Sequence, residues 1–311
     1  MVKWAQRQER FPISILGWIW MLLYPFLVYQ GIGTVVIMAY LMYAMITNPS
    51  LLHGVGGLYV DAADSILNII YDNYLWLSLI ICAFTIPLLY LFMHMDREKE
   101  VKYSFRMDHW APSGPGAYIL TAVLGISSCV VLNHLLVFSG LYELLEEGYS
   151  PTAQILYNSN FWLEVLAVGI LSPLVEELVF RGLIYRRLRW RMEAFPAIFL
   201  SALFFAVFHG NLLQGIYALL MGMMMGWVYE RHHNLLAPAA FHIGANVTSV
   251  ILSDSGLLDW VYESDAGFLG ATAFMMLVFV VAAYLALTTG KPRPVEPVPV
   301  ETEIKEDEYG T

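Results

Sequence analysis

The chain has 311 residues, 59% of them hydrophobic and only 14% charged, with a mean hydropathy of +0.61. That balance excludes an ordinary soluble domain, and the net charge of −10 argues against a nucleic-acid partner. What remains is an all-α, polytopic membrane protein.

Residues 1–12 carry Lys3, Arg7 and Arg10 ahead of a long apolar run. The run is too long for a signal-peptide core and has no convincing cleavage site, so it is expected to stay as an anchor. Eight apolar spans are predicted, at 13–45, 74–95, 117–139, 161–185, 195–210, 212–229, 235–253 and 268–289. The first is overlong for about 20 residues per crossing. No charged residue occurs between Arg10 and Asp61. Pro25 and the Gly31-Ile-Gly33 step are the places where an interfacial piece, or a second crossing, would separate. The Gly222-MMM-Gly226 step in the sixth span reads as close helix packing. Cys82 and Cys129 lie in apolar runs and give neither a disulfide framework nor a metal-ligand spacing.

Charge sorts the loops. Lys and Arg gather at the N-terminus, in 96–109 (Arg97, Lys99, Lys102, Arg106), in 186–191 (Arg186, Arg187, Arg189, Arg191), at Arg231 and in the tail. The loops at 46–73, 140–160 and 254–267 contain Asp and Glu but no Lys or Arg. By the positive-inside rule both termini are cytoplasmic, in the cell membrane, and eight crossings alternate without conflict. The expected organisation is thus a cytoplasmic N-terminus (1–12), N-terminal helices and loops (13–160), a helix core bearing the site (161–253), and a last loop and helix (254–290). Residues 291–311, rich in Pro and then acidic, read as a disordered tail.

Glu176 and Glu177 stand inside the fourth span, where a carboxylate is costly unless paired or set against a polar cavity. Glu177 and Arg181 are i and i+4, so they share a face and can pair. Glu176 is turned about 100° away and is left for proton chemistry. Counting from the turn at 192–193 brings Glu176 and His209 to one level, roughly 25 Å from the hairpin tip. His242 and Asn246 share a face of the seventh span, continued by Ser249 and Ser253. All are expected to converge in the cytoplasm-facing half of the bilayer. His53, His94, His109, His134, His232 and His233 lie near loops or lack partners and read as incidental.

A carboxylate near an imidazole is the minimum equipment to deprotonate water and reprotonate a leaving group. A second His with an Asn can donate to the oxyanion of a tetrahedral intermediate. Two His and two Glu are also zinc-ligand types, so zinc is not excluded, although no HExxH is present. A membrane protein that binds a partner without catalysis would keep the same cluster as a polar packing core. A proton-coupled transporter would need inverted repeats that the chain lacks.

The signatures Glu176-Glu177-LVF-Arg181, Phe205-AVF-His209 and His242-IGA-Asn246, in this order on successive spans, resemble the CPBP intramembrane protease family. This is the group of type II CAAX prenyl proteases and bacteriocin-processing or self-immunity proteins. The likeness covers roughly residues 160–250. It implies a glutamate-dependent peptidase with no cofactor: Glu176 with His209 activates water, His242 and Asn246 hold the oxyanion, and Glu177, Arg181 and Phe205 support them. The partners it implies are membrane lipid and a hydrophobic or lipidated peptide or protein substrate. A non-catalytic immunity role is the alternative within the same group.

Overall fold

The computed structural model describes residues 13–48, 59–102, 113–157, 160–257, 261 and 263–288. The predicted N-terminal charges Lys3, Arg7 and Arg10, the loop residues His53, Arg106 and His109, and the tail at 291–311 lie outside the described residues. Among those described, the chain is helical throughout, without strands. The helices are α1 (Ile15–Thr47), α2 (Tyr59–Asp72), α3 (Tyr74–Lys102), α4 (Pro115–Phe138), α5 (Leu141–Leu156), α6 (residues 161–189), α7 (Ala194–Phe208), α8 (Leu212–His232), α9 (Leu236–Asp254) and α10 (Asp265–Thr288).

Six of these, α1, α3, α4, α8, α9 and α10, are long and apolar enough to cross a membrane. The other two predicted spans are also helices. One is α6, interrupted by π-helical stretches, and the other is α7, which is apolar but only 15 residues long. The protein is a multi-pass membrane protein. Rows of exposed apolar side chains, such as Leu16 and Val35 on α1 and Phe274 and Tyr284 on α10, give its flank the character of a lipid-facing surface.

Three details decide what the sequence left open or differ from its expectation. The first run is neither split nor turned back: α1 continues through Pro25 for 33 residues, about 50 Å at 1.5 Å per residue. Proline lacks a donor but does not end a helix whose flanks are packed, and Pro25 is buried. Two of the acidic loops contain helices of their own, α2 and α5. Both are amphipathic, and their alternation of Asp or Glu with Leu, Ile and Tyr hides them from a search for apolar spans.

The third difference concerns the basic turn. Arg186 and Arg187 are expected to crowd a cytoplasmic surface, yet they are 1% and 0% exposed. Arg187 donates to Asp96 Oδ2 at 2.6 Å, to Tyr24 Oη at 2.5 Å and to the Met21 carbonyl. Arg186 pairs with Glu100, which also accepts from Trp190 Nε1 at 2.9 Å. Arg189 bonds Glu230 at 2.9 Å, which accepts from Tyr185 Oη at 2.5 Å. The result is a buried ionic layer that ties α1, α3, α6 and α8 together at one end of the bundle. Buried charges persist when every one is paired and hydrogen-bonded, and here the acids on α3 answer the arginines on α6.

Glycine sets the approach of the helices behind the site. On α4 and α9 a Cβ at Gly125 would lie 1.9 Å from the Phe241 carbonyl oxygen, and one at Gly244 would lie 2.7 Å from that of Ala122. The two backbones therefore touch, which fixes α9 and its polar stripe. On α8 a Cβ at Gly222 would lie 3.0 Å from Ala202 of α7 and one at Gly226 3.0 Å from Ile198, the small-residue packing that the sequence suggests. We expect Gly125→Ala to lower the midpoint of thermal unfolding in detergent by an amount equivalent to about 1–3 kcal/mol of overpacking. Gly31→Ala on α1, where a Cβ meets nothing within 4 Å, should leave it unchanged or raised; equal midpoints for the two variants would refute the close crossing.

Candidate active site

Helix α6 is π-helical on both sides of the short α-helical segment that holds Pro173. Asn160 caps its start, accepting from the Trp162 and Leu163 amides. Residues Val165–Leu171 and Leu178–Tyr185 are π-helical, with Ser172–Glu177 α-helical between them. In the first π stretch the Ser172 amide reaches back to the Ala167 carbonyl. The next bond in that register would come from residue 173, and proline has no N–H to give. The Val168 carbonyl is therefore free to accept from Asn246 Nδ2 at 3.1 Å. Pro173 thus anchors α9 to α6 just before the glutamate pair. π-Helical turns of this kind are frequent at functional sites.

The two glutamates face different surroundings. Glu177 and Arg181 are both 0% exposed and pair at 2.6 Å. Arg181 also donates to the Gly222 carbonyl at 3.1 Å, and its guanidinium lies 4.8 Å from the centre of the Phe205 ring. The same Glu177 oxygen accepts from His242 Nδ1 at 2.9 Å. Glu176 is slightly exposed. Its Oε1 accepts from Ser172 Oγ at 2.7 Å and its Oε2 lies 3.7 Å from His242 Nε2. His242 therefore bridges the pair, hydrogen-bonded to the braced carboxylate and within ion-pair reach of the other.

His209 ends α7, because Gly210 adopts φ +74° and Asn211 then caps α8. Its Nδ1 faces the Phe205 carbonyl at 2.8 Å. A carbonyl only accepts, so Nδ1 carries the hydrogen and Nε2 of the neutral ring holds the lone pair. For His242 the same logic applies, since the carboxylate it meets is already paired with an arginine. Phe205 stands between these groups, with its ring centre 4.7 Å from that of His209 and 5.6 Å from that of His242, edge-on to both.

Glu176, Phe205, His209, His242 and Asn246 line one cavity of about 400 Å³. Glu177 and Arg181 lie behind its wall. Ser249 also lines it, bonding Cys129 at 3.3 Å. Ser253, expected on the same stripe, is not among the lining residues. Residues that the sequence did not single out complete the wall: Ser172, and the tyrosines Tyr29, Tyr74, Tyr142, Tyr149, Tyr157 and Tyr217. Ser172 was findable, since it is i−4 to Glu176 just as Arg181 is i+4 to Glu177. The tyrosines come from α1, α3, α5 with its C-cap, and α8, and share no spacing. Burial pushes the Tyr149 phenol on α5 up to about 12, so it faces the cavity as a neutral hydroxyl. Of the histidines read as incidental, His232 is buried against Ser113 at 2.8 Å and His134 against Thr272 at 2.7 Å, away from this cavity.

The cavity lies away from the arginine turn. Its lining comes from the start of α3, the first halves of α6 and α8, the end of α4 and α7, the middle of α1 and α9, and α5. These are the middles of the helices and the ends opposite the arginine turn, so the site occupies the middle and the far half of the bundle. Counting residues along a hairpin matches depths but does not say which way the space between helices opens. Among the described residues, no group of three or more His, Cys, Asp or Glu side chains is arranged to hold a metal ion.

The fold and this cluster define a class: a multi-pass, all-α membrane protein with a buried carboxylate–imidazole site. Residues 158–248, less than a third of the chain, match the family model of type II CAAX prenyl endopeptidase Rce1-like proteins. This segment carries an Rce1-like domain, in agreement with the CPBP resemblance of the three motifs, and the match supports a CAAX-type membrane protease in general terms. No curated protein and no solved structure matches the chain.

Removing Arg181 leaves the buried Glu177 without its cation, held only by the hydrogen bond from His242. Arg181→Leu should cost about 3–5 kcal/mol of stability, and Arg181→Leu with Glu177→Gln should recover a substantial part of it. Unfolding midpoints in detergent for the two variants test this; if the double variant is no better than the single one, the pair is not what stabilises α6.

Proposed function

We propose that the protein is a glutamate-dependent endopeptidase that cleaves a hydrophobic or lipidated peptide or protein within the membrane, near its C-terminus or in a membrane-proximal segment. The observation that carries this is the division of labour between adjacent carboxylates. One is fully buried and locked by Arg181 and His242, while the other borders the cavity and accepts from Ser172.

In this reading Glu176 takes a proton from water as the water oxygen forms a bond to the scissile carbonyl carbon. His209 Nε2 accepts the water's second hydrogen and orients it. The carbonyl oxygen becomes an oxyanion. It takes a hydrogen bond from the second Asn246 Nδ2 hydrogen, and from His242 Nε2 when that ring has taken up a proton from solvent before water attacks, while His242 Nδ1 stays on Glu177. The proton on Glu176 then passes to the amide nitrogen, the C–N bond breaks, and a carboxyl end and an amine leave. Glu177, Arg181 and Phe205 position His242 and His209 without touching substrate. No metal is required in this scheme. The protein is placed in the cell membrane with both termini cytoplasmic, on the separation of basic from purely acidic loops.

Glu176→Gln keeps the shape and removes the base, so turnover should fall by about 10²–10⁴ with protein level and unfolding midpoint unchanged. Comparing the peptide termini of membrane proteins in cells carrying wild type or Glu176→Gln measures this before any substrate has been identified. At least one terminus should vanish in the variant; identical sets of termini at equal protein levels would sink the peptidase reading and leave a partner-binding role. Cleavage of a peptide so identified should persist in strong chelator, whereas loss of activity restored by added Zn²⁺ would point to a zinc peptidase instead.

A further inference from the structure

A hydroxyl inside a helix ordinarily turns back to the carbonyl four residues earlier. Ser127, Ser128, Thr248 and Thr272 do so here, donating to the carbonyls of Val123, Leu124, Gly244 and Phe268. For Ser172 the corresponding carbonyl is that of Val168. Pro173 leaves it without an amide donor, and Asn246 Nδ2 holds it at 3.1 Å. The Ser172 hydroxyl points the other way. It gives its one hydrogen to Glu176 Oε1, one turn further along α6, at 2.7 Å.

That bond decides which oxygen of Glu176 is left open. The terminal torsion of a glutamate side chain is soft, and a half turn exchanges its two oxygens. With Oε1 bound to Ser172, Oε2 lies toward His242, whose Nε2 is 3.7 Å away, and among the described residues it accepts no hydrogen bond. Both Ser172 and Glu176 line the cavity. Arg181 stands to Glu177 as Ser172 stands to Glu176, one turn away along the helix. The difference lies in the donor. A guanidinium neutralises the carboxylate it holds, whereas a hydroxyl fixes its orientation and leaves its charge in place.

We propose that Ser172 is a positioning residue for Glu176, released for that task by Asn246. The hydroxyl pins the carboxylate through Oε1. Oε2 is then the atom that takes a proton from water while the water oxygen bonds to the scissile carbonyl carbon, and Ser172 keeps its own hydrogen throughout. Asn246 serves twice: one Nδ2 hydrogen occupies the Val168 carbonyl that Ser172 would otherwise use, and the other is the donor to the oxyanion. The use of Oε2 as a base rests on the peptidase reading; the pinning of the carboxylate does not.

Infrared difference spectra between each protein and its Glu176→Gln counterpart isolate the bands of the Glu176 carboxyl group. Ser172→Ala should shift them, and Ser172→Thr, which keeps a hydroxyl, should leave them at the wild-type position. Asn246→Leu returns the Val168 carbonyl to Ser172, so it should shift them too, and adding Ser172→Ala to it should move them no further. Bands unmoved by Ser172→Ala overturn the pinning; bands unmoved by Asn246→Leu, or shifts that add, overturn the release by Asn246. The second arm uses a peptide recovered from the comparison of termini. Ser172→Ala and Ser172→Val should lower kcat at least about tenfold with KM within about twofold of wild type, and Ser172→Thr should keep kcat within about threefold. Valine and threonine share a shape, so equal rates for those two variants, or a raised KM with unchanged kcat, overturn the positioning role. If no terminus depends on Glu176, the peptidase reading fails, and the infrared bands still decide whether Ser172 holds the carboxylate.

Discussion

A carboxylate that is fully buried between helices has to be answered by a positive charge, and the pairing of Glu177 with Arg181 is the constraint around which the site is arranged. The pair pins Arg181 against Phe205 and the Gly222 carbonyl, which brings α7 and α8 to α6. It leaves the Glu177 oxygen to orient His242 on α9. Three helices thereby take their relative positions from one ion pair, and Phe205 transmits that order to both imidazoles. Once Glu177 is consumed in this way, Glu176 is the carboxylate that remains next to open space.

The second constraint is backbone proximity. Gly125 and Gly244 let α4 and α9 touch, Gly222 and Gly226 do the same for α7 and α8, and Pro173 frees a carbonyl for Asn246. Each is the absence of an atom, a Cβ or an amide hydrogen, and each brings a polar side chain to the cavity where a bulkier residue would hold it off. The buried arginine layer works on the opposite principle. It assembles charges at one end of the bundle and satisfies them with Asp96, Glu100 and Glu230 instead of releasing them to water.

The CAAX-type protease match covers residues 158–248, whereas the cavity draws on a larger part of the chain. The three motifs are local to α6, α7 and α9. The wall that meets the rest of the substrate is supplied largely by α1, α3, α4 and α5, outside the matched segment, and by the first turns of α8.

Much of the site was legible in the sequence because it is written in helical spacing. The i, i+4 relations of Glu177 to Arg181 and of His242 to Asn246, and the equal counts from the turn to Glu176 and His209, are properties of a regular helix and need no partner to be read. The all-α membrane class follows in the same way from apolar runs of sufficient length. Tertiary structure alone decided the rest. His242 sits between the two glutamates because α4 and α9 meet at glycines. Arg186 and Arg187 turn inward because acids 86 and 91 residues earlier in the chain lie beside them. The tyrosine wall collects residues from four separate helices, and the cavity opens away from the arginine turn. A sequence fixes the level of a side chain along its own helix, but the space between helices belongs to several of them at once and exists only after they pack.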